Sequence, residues 1–145
     1  MAVTATISNH AKYQMAAKQI DLTATGNNIK LILMNTTFTF DKDAHATLSD
    51  VTSDQLATEY GYTQDNITLS NQALTEDDTD DNASFTADDV TITASGGDIG
   101  PTGAYILYDD STADDTILAC VDFGTDHTIG DGLSLRIQNI EITIT

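Results

Sequence analysis

Apolar and polar positions alternate at both ends of this chain and run together near its middle. Val3, Ala5 and Ile7 alternate with Thr4 and Thr6, which predicts a first strand. At the far end Leu133, Leu135 and Ile137 alternate, and Ile140, Ile142 and Ile144 resume the pattern out of phase. One extra residue at Gln138 and Asn139 predicts a bulge or a tight bend. Residues 29–34 are apolar except for Lys30 and predict a buried strand. Residues 103–108 and 116–123 predict an antiparallel pair joined by the acidic link 109–115. Further strands are predicted over residues 66–74, 84–86 and 90–93, with a charged turn at 76–81. A glycine-rich loop is expected over 94–103, around the only proline, Pro101, and another loop over 124–132.

Helical periodicity is confined to residues 10–20. Tyr13, Ala16, Ala17 and Ile20 fall at i, i+3, i+4 and i+7, and Ser8 with Asn9 offers an N-cap. Residues 35–60 are rich in Thr and Asp, with scattered Phe38, Phe40, Leu48, Val51 and Leu56. They predict a long loop with a short helix near 53–58, and a loop of that length in a compact domain usually has a job. Short strands separated by a turn about every ten residues predict a mostly-β fold. The expected architecture is an antiparallel β-sandwich, jelly-roll-like, or a barrel with one short N-terminal helix. It forms a single domain over residues 1–145, with an N-terminal arm and helix over about 1–21.

Charge sharpens this picture. The chain carries 23 acidic and 5 basic residues, a formal net charge of -18. Such a surface repels nucleic acid and anionic membranes, so neither is expected as a partner. Lys12, Lys18 and Lys30 precede residue 41, where Asp21 is the only acid. The N-terminal part is therefore mildly basic and the remainder strongly acidic, as a partner-facing end and a solvent-facing end would be. One cysteine, Cys120, excludes an internal disulfide and fits folding in a reducing cytoplasm. Its apolar neighbours predict a buried small hydrophobe. No signal peptide or membrane-spanning run is read in the sequence.

Chemistry is sparse. His10, His45 and His127 are far apart and lie in no metal-ligand, redox or nucleophile motif, so no enzymatic activity is expected. Gly96, Gly97 and Gly100 sit beside Asp98, which would repel a phosphate, and read as a turn. Carboxylates are too abundant for adjacency to mark an acid–base pair, and a sugar site would want the Trp this chain lacks. Asp78, Asp80 and Asn82 have the spacing that opens an EF-hand loop. Ala83 stands where that loop needs Gly, and the flanks predict strands. No cofactor is expected beyond a loose calcium or magnesium site there, or at Asp109 and Asp110 with Asp114 and Asp115.

Several short blocks, taken in order, resemble a family of small structural proteins of tailed-bacteriophage virions. They run from Met1-Ala2-Val3-Thr4-Ala5-Thr6 and the helix at 12–20 through Ile20-Asp21-Leu22 and Ile29-Lys30-Leu31-Ile32-Leu33. Asp43-Ala44-His45, Leu48-Ser49-Asp50-Val51 and Gly61-Tyr62-Thr63 follow. The closest block is Phe85-Thr86-Ala87-Asp88-Asp89-Val90-Thr91, followed by Ala104-Tyr105-Ile106-Leu107-Tyr108-Asp109 and Val121-Asp122-Phe123-Gly124. The chain departs from the family pattern in its acidity and in lacking a Trp after Thr91. The resemblance implies a decoration or cement protein on the outer capsid surface, made in the host cytoplasm. Its partners would be the major capsid protein and itself, as a homotrimer. The interface is expected to use Val3, Ala5, Ile7, Lys12 and Tyr13 of the N-terminal segment, and Phe38 and Phe40 of the long loop. The alternative is a tail, baseplate or host-recognition fibre component, favoured by display of Phe38, Phe40, Tyr60 and Tyr62.

Overall fold

The computed structural model describes residues 5–145. In chain order the elements are β1 (Thr6–Ile7), α1 (Asn9–Ala16), β2 (Ile29–Asn35), β3 (Ile67–Thr68), β4 (Ala73–Asp77), β5 (Asn82–Ala87), β6 (Val90–Thr93), β7 (Ile99–Asp109), β8 (Thr116–Ile129), β9 (Ser134–Ile137) and β10 (Ile140–Ile144). Two 3-10 turns, Leu48–Asp50 and Thr52–Asp54, lie between β2 and β3. The fold is mostly β with antiparallel sheets and one α-helix among the described residues. No helix there is long and apolar enough to cross a membrane.

Strands β1, β8, β7, β2 and β3 form a five-stranded sheet in that order. Its middle strands are apolar on both faces because both faces are buried. One face carries the rows Leu31–Leu107–Ala119 and Leu33–Tyr105–Val121. This face shares a core with Phe85, Ile92, Ile137, Ile140 and Ile142, which come from two smaller sheets ordered β10-β5-β4 and β6-β9. The arrangement is sandwich-like, and the sheets stay open, so the barrel alternative is not realised. The opposite face carries Ile32, Ile106, Cys120, Met34 and Ala104. Among the described residues no sheet covers it; Val51, with Phe38, Phe40 and Leu48, packs on it. That is the job of the long loop. Its helical expectation at 53–58 gives way to the two 3-10 turns, whose bend sets Val51, fully buried, between them.

Other boundaries differ from the sequence pattern for identifiable reasons. The helix ends at Ala16, and Lys18 takes a left-handed φ of 62°. The Ser8 hydroxyl donates to the Ile117 carbonyl at 2.6 Å and accepts from Ala11 N–H at 2.9 Å. This turns Ala11 inward, while Tyr13, Ala16 and Ala17 stay exposed, so the expected apolar stripe is not the buried one. The single strand expected at 66–74 is divided between β3 and β4, with Asn71 at φ 50° between them; Asn tolerates this conformation. The loop expected at 124–132 is largely strand. β8 continues to Ile129, which pairs with Ile99 across an irregular ladder. Exposed polar residues 125–128 hid that strand, and two buried isoleucines anchor its end. The phase slip at Asn139 (φ 54°) is a change of sheet: β9 pairs with β6, and β10 with β5.

Candidate interaction surfaces

The residues proposed from the sequence as an interface divide between the two cores and the exposed helix surface. Val3 lies outside the described residues. Ile7 pairs with Ala119 on the edge of the central sheet, and Ala5 and Ile7 pack half-buried against the main core. The following helix presents Lys12 and Tyr13 to solvent, Tyr13 with 66% of its surface exposed. The helix start is tied to the long loop, because Asn9 N–H donates to the Lys42 carbonyl at 3.0 Å and the Asn9 amide bonds Asp43. The loop and the helix are thus in contact at Asn9.

On that loop Phe38, Phe40 and His45 make an aromatic cluster, with His45 5.2 Å from Phe38 and 5.7 Å from Phe40 between ring centroids. The His45 Nδ1 accepts the Asp41 N–H at 3.0 Å, which orients the ring. Both Phe rings lean on the second core and are half-buried. Display of four aromatics therefore does not hold. Tyr62 is buried, its hydroxyl accepting from Leu33 N–H at 3.0 Å and from the Gln55 amide at 3.1 Å. Of the four, Tyr60 alone is well exposed, lying over Gly97, where a Cβ would stand 2.5 Å from its ring.

Electrostatics separates this side from the rest. Lys30 pairs with Asp110 at 3.1 Å, Lys42 with Asp43 at 3.0 Å and Arg136 with Asp89 at 2.7 Å. Lys12 and Lys18 make no ion pair among the described residues. Beside them His10 Nε2 meets Asp114 Oδ2 at 2.8 Å, and Thr116 donates to Asp114 Oδ1 at 2.6 Å. Burial works against ionisation of Asp114, but the Thr116 and His10 bonds prevail and hold its carboxyl below the usual range.

The two acidic segments weighed as cation sites differ in their surroundings. Asp77 Oδ1 accepts from Thr79 N–H and Asp80 N–H at 2.9 and 3.2 Å, which closes the turn bearing Asp78 and Asp80 as exposed side chains and Asn82 half-buried. Asp109 is fully buried and accepts from the Asn27 amide at 2.6 Å and Ser111 N–H at 2.8 Å; burial pushes its carboxyl up. Asp110 and Asp114 have the partners already given. Among the described residues no group of three or more His, Cys, Asp or Glu side chains is placed to hold a metal ion.

The three histidines have separate surroundings: His10 at Asp114, His45 among the Phe rings, and His127 edge-on to Phe123 at 5.4 Å. Cys120 is a free, buried thiol whose pKa burial pushes up to about 12, so it is a packing group. Sequence reasoning missed the buried polar set of Gln55, Tyr62 and Tyr108. Among the described residues Gln55 Oε1 and the Tyr108 hydroxyl make no hydrogen bond; Gln55 lay in the stretch expected as a loop and Tyr108 at the end of an expected strand, and nothing local marked either as a buried polar group. Comparison with protein-family models, curated proteins and solved structures finds no match for the chain.

Proposed function

We propose that this protein is a non-enzymatic component of a phage virion, a decoration protein bound to the lattice of the major capsid protein on the outer capsid surface. The observation that supports this most is the helix surface. In a chain of net charge -18, Lys12 and Lys18 are unpaired among the described residues and flank a largely exposed Tyr13. An exposed tyrosine is a candidate interface anchor, and the uncommitted lysines beside it would meet an acidic partner surface with attraction rather than repulsion. The acidic remainder keeps particles apart and discourages capture of free nucleic acid. As a homotrimer at local threefold positions, each copy adds a modest contact and the lattice multiplies it. Cofactors have no part in this role. The tail, baseplate or fibre reading needs displayed aromatics, and of its four candidates Tyr60 alone stands well clear of the core.

The test is to mix purified protein with undecorated expanded capsids and image the particles. Ordered density over the capsomers is expected for the parent chain. The exposed triple variant K12E/Y13A/K18E should fold and bind at least about tenfold more weakly, the loss of about 1.4 kcal/mol. No binding by the parent, or density on the tail alone, overturns the capsid reading.

A further inference from the structure

We propose that the outer edge of β4 is a docking site for an extended segment of a partner protein in which apolar and basic residues alternate. The site is independent of the capsid reading and faces away from it in chemistry, being acidic where the helix is basic.

Among the described residues strand β4 is terminal in its sheet and pairs with β5 alone, so its other edge offers an unpaired ladder. The register extends the core rows outward along it. Leu74 stands opposite Phe85 and Ile142, and Glu76 opposite Ala83 and Ile144. The first row is covered by the main core at Phe85 and Ile142, yet Leu74 keeps 40% of its surface exposed. Leu74, Ala83 and Ile144 floor an open concavity of about 670 Å³. Glu76, Asp78 and Asp81 line it with them, and no cation does. None of these carboxylates takes part in an ion pair among the described residues.

An unpaired edge beside an apolar floor suits a β-strand, which takes its affinity from main-chain bonds and its specificity from alternate side chains. Charge selects the occupant. A second copy of this chain would bring another acidic rim, and like charges opposed across strands are destabilising. Nucleic acid is repelled for the same reason. A segment with apolar residues on the face of Leu74 and Ile144, and basic residues on the other face beside Thr75 and Asp77, meets both features. The competing role for the acids is to guard the edge against any pairing, and it predicts no binding at all.

The probe is a short synthetic peptide alternating valine and lysine, titrated into the isotopically labelled full chain while amide resonances are followed. Shifts concentrated on residues 73–77, 83 and 144, and weakened by added salt, are expected. A peptide alternating valine and glutamate should leave the spectrum unchanged. The exposed double variant E76K/D78K should bind the lysine peptide about tenfold more weakly, and L74D should bind weakly with the acidic rim intact. Absence of binding, shifts spread over all acidic surfaces, or binding unchanged in both variants overturns the proposal. Capsid binding by E76K/D78K should match the parent, so failure here leaves the helix surface untouched and the reverse.

Discussion

Strands close one face of the central sheet, while an irregular segment closes the other, and both covers leave the residues beneath dry. On the first face, Phe85, Ile140 and Ile142 belong to a ladder that satisfies their backbone groups. On the second, Val51, Leu48 and the two Phe residues sit on a chain with no ladder of its own. Its backbone groups are satisfied by turns, by single bridges to the sheet such as Leu48 N–H to the Asp115 carbonyl and Leu56 N–H to the Leu33 carbonyl, and by short polar side chains. Asp50 accepts from Ala46 and Thr47 N–H, Asp41 from Asp43 and Ala44 N–H, Asn35 from Thr37 N–H, and Thr52 donates to the Leu48 carbonyl. The Asp and Thr content that marks this stretch as loop is what allows it to serve as a lid. Such local bonds compete with regular structure and replace it where they are dense.

The contrast can be broken first at the strand-closed face. Phe85→Ala removes a fully buried ring from between two sheets and should cost about 3–5 kcal/mol, with one cooperative transition in denaturant. A loss smaller than that of the lid variants below would show that the strand-closed core does not dominate. At the junction of lid and sheet, Tyr62→Phe deprives Leu33 N–H and the Gln55 amide of their acceptor while keeping the ring. A loss of about 1–3 kcal/mol is expected by the same denaturant measurement, and no loss would mean that water replaces the hydroxyl.

The smallest effect belongs to the lid. Asp50→Asn weakens the bonds that turn the chain at Thr47 and should cost about 1 kcal/mol. Hydrogen exchange should rise in residues 46–56 and leave β7 and β8 protected. The parent should show the same change with pH. The Asp50 carboxyl is held below its ordinary 3.8, chiefly by Thr47 N–H. Its folded value therefore lies below its unfolded one. The contribution is present above the unfolded value and is lost as pH falls through the lower folded value. Exchange in 46–56 that is indifferent to acid in the parent, or equally raised in all strands, would refute the lid as a separately fastened unit.

The interface candidates were partly legible. Lys12 and Tyr13 are exposed on a helix whose N-cap, Ser8, was visible in the sequence, and charge asymmetry along the chain marked the same end. Phe38 and Phe40 were visible as aromatics in a polar stretch, but not their direction, because a loop has no period to tell inside from outside. Tyr62 was expected among the displayed aromatics and proved to be a buried acceptor between lid and sheet. The β4 edge was divided between the end of the strand expected at 66–74 and the charged turn at 76–81, and exposure of Leu74 was not legible because it depends on which strand ends the small sheet.

Legible along the chain were the strand-rich class, the helix N-terminus, the buried runs of β2, β7 and β8, and the change of phase before β10. Each of these is local, carried by a period of two, by a capping hydroxyl or by a continuous apolar run. Tertiary structure alone decided which sheet each strand joins, which side of the helix turns inward, and that residues 36–60 roof the central sheet. Those outcomes rest on contacts between distant residues, such as Ser8 with Ile117 and Tyr62 with Leu33, and local pattern carries no record of distant partners.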